Sequence, residues 1–434
     1  MIRLIKKTVA VCMATILFLL PVAGCSEDVE KTKPADYGTY GADFAREFAS
    51  AYPYRKAFSS QEASAGDMIE EELTELGYDV EKQSFTTDAG SSSNYIVRIE
   101  GQGFVDETDD GDLVDVRKTV VIGAHYDSSF SAEELVDGNE TYGYDGISDN
   151  ASGVGCLMTV AKQIADYQDI GFDVILVFFG AGNADYAGAR AFFSSLTEEE
   201  QSDIEVMYCI DSIYAGDKVY ASSGFNSLVP GQKYQMRRKL YQAYDVVYDS
   251  ELASINGFTL LYNESNIITD VNGDEVADVY REVTVNKSDY VIFDDAGIPI
   301  VYFDSADYFF PSLEEMKETK NLNLQAFGGA VRGTPLDSSS FLDPILNTEE
   351  KDILVIRINN IAYTILESMR KGSDYGMTQE QYEQMLRDRT ADTDPTSETT
   401  ATSETTALAP VIPSDSEEVT EETVAEESPS EGEG

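Results

Sequence analysis

Apolar and polar positions follow two rhythms along this chain. In ADFAREFASAYPYR and SAGDMIEEELTELGYDVEKQSF the apolar residues recur at helical spacing, with Met68, Ile69, Leu73 and Leu76 on one face and Gly77 as the stop. SSSNYIVRIEG and KTVVIGAHYDS read as strands. The second is continuously apolar, the pattern of a central strand buried on both faces. SGVGCLMTVAKQIADY then predicts a helix, FDVILVFFGAG a buried strand, AGARAFFSSL a helix and IEVMYCIDSI another buried strand. Such alternation argues an α/β fold, a mixed and largely parallel central sheet flanked by helices on both faces. From about Ala215 to Tyr290 the pattern loosens into a Tyr-, Asp- and Asn-rich stretch, predicted as an insertion or cap. SDYVIFDDAGIPIVYFDSA returns to strand character, and EEKDILVIRINNIAYTILESMRK predicts a long terminal helix.

The two ends follow neither rhythm. MIRLIKKTVAVCMATILFLLPVAGC combines a basic start, an apolar run from Thr8 to Leu20 and small residues before Cys25. Residues 1–24 therefore read as a secretory signal, the apolar run being shorter than the roughly 20 residues a membrane span needs. VAGC resembles the bacterial lipobox, which implies lipidation of Cys25 and a membrane-anchored, extracytoplasmic lipoprotein at the cell surface or periplasmic face. Residues 25–37 are a polar spacer, and 38–389 form the folded domain. Residues 390–434 are Ser, Thr, Glu and Pro with thirteen acids and no Lys or Arg, a composition expected to stay disordered. The whole chain carries a formal charge of −50, so the folded part is acidic as well. That excludes nucleic acid as an expected partner, because phosphate binding needs a basic footprint. Cys156 and Cys209 both lie in apolar runs, where buried free thiols are the expectation.

Chemistry concentrates at the carboxyl ends of the predicted parallel strands, where α/β sheets place their sites. His125, the only histidine, follows one central strand. Asp211 follows another, and Asp149 stands just before a helix. One imidazole and two carboxylates suit a zinc-like ion. The same residues also fit a buried, hydrogen-bonded histidine and two helix-capping aspartates.

GAHYDSS, SDNASGVGCLMTVAKQI, ILVFFGAGNADYAGARAFF, MYCIDSIYAGD and SDYVIFDDAGIPIVYFD, in this order and spacing, resemble the successive motifs of the zinc-dependent exopeptidase family M28 of bacterial leucyl aminopeptidase and aminopeptidase Y. The likeness runs from about residue 40 to 370 and implies the zinc-exopeptidase, phosphorylase/hydrolase-like form of the α/β fold. It also implies two zinc ions bridged by one aspartate, with a water activated by a glutamate. One ion maps onto His125, Asp149 and Asp211, all present. The second ion needs the bridging aspartate, a glutamate and a distal histidine. Where the family carries FFGAEExGLxGS this chain has FFGAGNADYAGA, so Gly182 stands at the general base and Asn183 at the ligand position. The family's HTxxDT has its best match in GTPLDSS, which puts Gly333 in the histidine's place.

The losses fall on one half of the centre, so the expectation is a peptidase-like domain that is non-catalytic or severely impaired, binding peptides or a protein partner. The alternative is a single-zinc exopeptidase releasing N-terminal residues, with Asn183 as a further candidate ligand. Asp127, Asp185, Glu140, Tyr142, Tyr144 or Asp145 would then have to carry the proton. A separate oxygen-rich stretch, DVNGDEVADVYRE, places Asp270, Asn272, Asp274 and Asp278 as a candidate calcium loop of the DxNxDxxxD kind.

Overall fold

The computed structural model describes residues 35–108, 110–135, 142–224, 233–261, 267–269, 278–280, 286–309 and 315–392. The leader, Cys25, Glu140, the calcium-loop residues Asp270, Asn272 and Asp274, and the tail beyond Asp392 lie outside the described residues, as does the side chain of Asp278. The chain divides into two compact units, residues 1–383 and 384–434, the second described only up to Asp392, where it is helical.

The strands are β1 (Glu81–Thr87), β2 (Gly90–Ile99), β3 (Phe104–Glu107), β4 (Leu113–Val116), β5 (Thr119–His125), β6 (Asp173–Phe179), β7 (Ile204–Ile210), β8 (Lys218–Ser222), β9 (Leu260–Leu261), β10 (Ile267–Thr269), β11 (Asp278–Tyr280) and β12 (Ile300–Ala306). Eight of them form one mixed sheet in the order β1-β2-β6-β5-β7-β12-β8-β9. Its centre, β6, β5, β7 and β12, is parallel. β1, β2 and β8 join antiparallel to their inner neighbours.

The period-two geometry of a strand explains the continuous apolar runs. Val120, Ile122 and Ala124 of β5 and Leu176 and Phe178 of β6 enter one core, while Val121, Val177 and Phe179 enter another on the opposite face. The principal helices are α1 (Tyr40–Ala51), α2 (Ser60–Glu75), α3 (Ser152–Gln163), α4 (Ala187–Ser195), α5 (Lys233–Asp249) and α6 (Ile353–Arg370). Buried residues of α1, α3, α5 and α6 cover the first core, and Ala189 and Phe192 of α4 the second. Helices α1 and α3 approach so closely that a Cβ on Gly155 would lie 2.3 Å from the Gly41 carbonyl oxygen, which only glycine permits. Cys156 belongs to the first core and Cys209 to the second, and both are free thiols.

The stretch expected as an insertion from 215 to 290 contributes to the sheet itself. It supplies β8, β9 and helix α5, whose Met236, Leu240, Ala243 and Val246 are buried. Arg237 and Lys239, buried among them, hid that face from a reading of hydropathy. Lys239 forms an ion pair with buried Glu205 at 2.5 Å.

Candidate metal centre

Strand β5 ends on His125, and β7 ends one residue before Asp211, so the two parallel strands deliver both side chains to one edge of the sheet. Asp149 comes from an irregular turn, Ile147–Ala151, that leads into α3 and contains a cis peptide between Asp149 and Asn150. The helix starts after Ala151 without a side-chain cap, so Asp149 does not cap it. Asn150 knits the turn in place: its amide donates to the Ile210 carbonyl, and its side-chain oxygen accepts the N–H groups of Gly153 and Ser212. Two further residues tie this loop to distant segments. The Asp337 carboxylate accepts the backbone N–H groups of Ser148 at 2.7 Å and Asp149 at 2.9 Å. The Arg55 guanidinium, fully buried, donates to the carbonyls of Tyr126, Asp145 and Gly146 at 2.6–2.7 Å and to that of Tyr52 at 3.2 Å.

The result is a triad whose ligand atoms all lie within 4.8 Å of one another. His125 Nε2 is 3.3 Å from Asp149 Oδ1 and 3.4 Å from Asp211 Oδ1, and all three residues are buried. A tetrahedral ion with ligands at about 2.0–2.1 Å has ligand-to-ligand edges of about 3.3–3.4 Å, which these separations match. One imidazole N–H cannot satisfy both carboxylates, and Asp149 Oδ1 has no hydrogen-bond partner. His125 Nδ1 faces Asp127 at 3.2 Å, the carboxylate–histidine arrangement that fixes a ligand's ring. The donor set therefore fits one divalent ion.

Burial alone would lower the His125 pKa, but Asp211, Asp127 and Asp149 hold it well above the usual imidazole range. Burial likewise works against ionised Asp211 and Asp149, and the Arg332 guanidinium and His125 reverse that, keeping both carboxyls below their ordinary range. An incoming ion has to displace the imidazole proton, so its affinity rises with pH.

Around the other half of the expected centre the chain is differently built. A Cβ on Gly182 would lie 2.4 Å from His125 Cβ and 2.6 Å from its Cγ, so the histidine fills the space into which a side chain at 182 would start. Asn183 is exposed, and its backbone N–H donates to Asp127. Gly333 is exposed, with a φ of +64°. The second oxygen of Asp149 accepts a hydrogen bond from Ser129 Oγ at 2.8 Å. Of the alternative proton carriers, Glu140 lies outside the described residues and the others have partners of their own. Asp127 accepts the N–H groups of Gly182 and Asn183, and Asp145 accepts those of Ile147 and Ser339. The Tyr144 hydroxyl accepts the Ser129 N–H, Tyr142 packs edge-on against Phe341, and Asp185 is exposed and paired with Arg190.

Residues 109–325, half of the 434-residue chain, match the description of peptidase family M28. The chain belongs to that family. Its site is a partial version of the M28 centre, three residues of one metal half-site. A curated relative, the alkaline phosphatase isozyme conversion protein of Escherichia coli strain K12, is 20% identical over 347 residues, covering 78% of this chain and 90% of its own. Among solved structures, glutaminyl cyclase of an Acidobacteriales bacterium superposes with a TM-score of 0.51 at 16% identity, covering 79% of this chain and 97% of its own. An aminopeptidase from Aneurinibacillus sp. strain AM-1 gives 0.49 at 13% identity, covering 80% and 97%. The likeness to the glutaminyl cyclase carries the fold.

The M28 motifs located the triad but not Arg332. Its Nη2 donates to Asp211 Oδ2 at 2.5 Å, and its Nε lies 3.8 Å from Asp149 Oδ1. No sequence pattern marks an arginine in a loop as a partner of residues 121 and 183 positions away. Asp337 was visible only as the aspartate of GTPLDSS, and Arg55 only as the end of YPYR.

Proposed function

We propose that this chain is an extracytoplasmic lipoprotein tethered through Cys25, whose M28 domain no longer hydrolyses peptides at an ordinary rate and serves to bind a peptide or protein ligand. The observation that carries the reading is the packing of His125 against Gly182: the base position lacks a carboxylate and also lacks the space for one. Loss of a general base typically costs about 10²- to 10⁴-fold in rate. The partial metal half-site, read as a single zinc held by His125, Asp149 and Asp211, supplies a Lewis acid for a peptide carbonyl when the ion is bound. Asp127 holds the imidazole in orientation, and Asp337 holds the backbone of Asp149. The engagement of Asp127 and Asp145 with backbone N–H groups, and of Asp185 with Arg190, supports the reading.

Asp149 Oδ1, which accepts no hydrogen bond, and the tetrahedral edges favour a second reading, a slow single-zinc exopeptidase. One experiment separates the two. The protein purified from its native membrane fraction, with the lipid on Cys25 verified by intact mass, is incubated with zinc and a mixed peptide library beside an Asp149→Ala control. The expected outcome is no cleavage above the control. Zinc-dependent cleavage that disappears in the control would overturn the proposal in favour of the exopeptidase.

A further inference from the structure

Three carboxylates, Asp127, Asp149 and Asp211, are buried around a single imidazole. Hydroxyl and backbone donors satisfy some of their oxygens without neutralising charge: Ser129 on Asp149 Oδ2, Ser212 on Asp211 Oδ1, and the Gly182 and Asn183 N–H groups on Asp127. A single divalent ion leaves such a group one positive charge short. Arg332 supplies that charge. Its side chain is 23% exposed at the edge of the cluster, with Nη2 on Asp211 Oδ2, Nε facing Asp149 Oδ1 and Nη1 directed at the Tyr302 hydroxyl at 3.5 Å. The backbone is fixed to aim it. The N–H groups of Val331 and Arg332 both donate to the Glu318 carboxylate, at 2.5 and 2.7 Å.

We infer that Arg332 is a built-in counter-cation that stands in for a second metal ion, limiting this centre to one ion and partly compensating its carboxylates when no ion is bound. This rests on the metal reading above. With the guanidinium in place, one divalent ion and a neutral His125 balance the three carboxylates that meet the imidazole; a second ion would add two further buried positive charges. The guanidinium also repels the first ion, so it weakens binding while stabilising the metal-free protein.

The test measures zinc stoichiometry and affinity by titration calorimetry, and thermal unfolding in chelator and in zinc, for the full chain and its Arg332→Met and Arg332→Lys variants. Near-UV circular dichroism verifies that each variant is folded. The parent is expected to bind one zinc. Arg332→Met should bind zinc at least about tenfold more tightly, the effect of removing one unit charge a few ångströms from a divalent ion under water-like screening. In chelator it should melt roughly 5–10 °C lower, because it leaves buried carboxylates unpaired, and zinc should restore the loss. Arg332→Lys, which keeps the charge, should behave like the parent. If Arg332→Met binds zinc and melts as the parent does, the inference is overturned and the metal reading stands. If neither protein binds zinc, the metal reading falls, and with it the limit of one ion; a lower melting point confined to Arg332→Met would then leave only the charge-compensating part supported.

Discussion

At the scale of single residues, the centre was legible where a side chain sits at the end of an apolar run. His125 and Asp211 terminate β5 and β7, and strand geometry fixes where such residues emerge. Gly182 was legible as an absence, but what replaced the missing side chain was not. The imidazole lies against the glycine and fills the space where a side chain at 182 would start. Gly182→Glu is therefore expected to leave peptide hydrolysis undetectable and to lower stability by about 1–3 kcal/mol through overpacking. Urea unfolding and a peptide-cleavage assay on the same preparation check both halves; recovered turnover without a stability loss would show that His125 yields readily.

Among elements, the parallel centre of the sheet was the most legible part, because strands buried on both faces leave unbroken apolar runs. Helix α5 was not, since Arg237 and Lys239 interrupt its apolar face. The loop carrying Asp149 depends on contacts that sequence proximity cannot show. Arg55 joins the end of the α1 segment to the residue after β5 and to the turn before Asp149, through backbone carbonyls 71 to 91 positions away. Arg55→Met would take the guanidinium donor from the buried carbonyls of Tyr126 and Asp145, each worth about 1–3 kcal/mol, while that of Gly146 keeps the Ala151 N–H. The expected result is a loss of roughly 3–5 kcal/mol together with faster hydrogen exchange in residues 144–151. A variant with unchanged exchange there would show that Asn150 and Asp337 suffice to hold the loop.

The molecule as a whole combines a charge of −50 with carboxyl groups buried deep in its unit of residues 1–383. Burial raises Glu62 from 4.5 to about 7, and raises Asp289 and Asp304 from 3.8 to about 7. The folded protein therefore binds more protons than the unfolded chain between about pH 4 and 7. Stability contributed by these groups is fully present below the ordinary carboxyl range and is lost as pH rises through about 7. Asp149 and Asp211 act in the opposite sense, their contribution being lost on acidification below the ordinary carboxyl range. In chelator, the free energy of unfolding should be highest near pH 4 and fall toward pH 7, at up to about 1.4 kcal/mol per pH unit for each net proton. Urea midpoints across this range test it; a midpoint rising steadily from about pH 4 to 7 would mean that these carboxyls are ionised in the fold.

The contact between His125 and Gly182 also ties two positions together. Any side chain larger than hydrogen at 182 has to displace the imidazole that already occupies its entry. Moving that imidazole shifts one of the three candidate ligands. Position 182 and the geometry of the triad therefore cannot be varied independently, and a substitution at one is read out at the other.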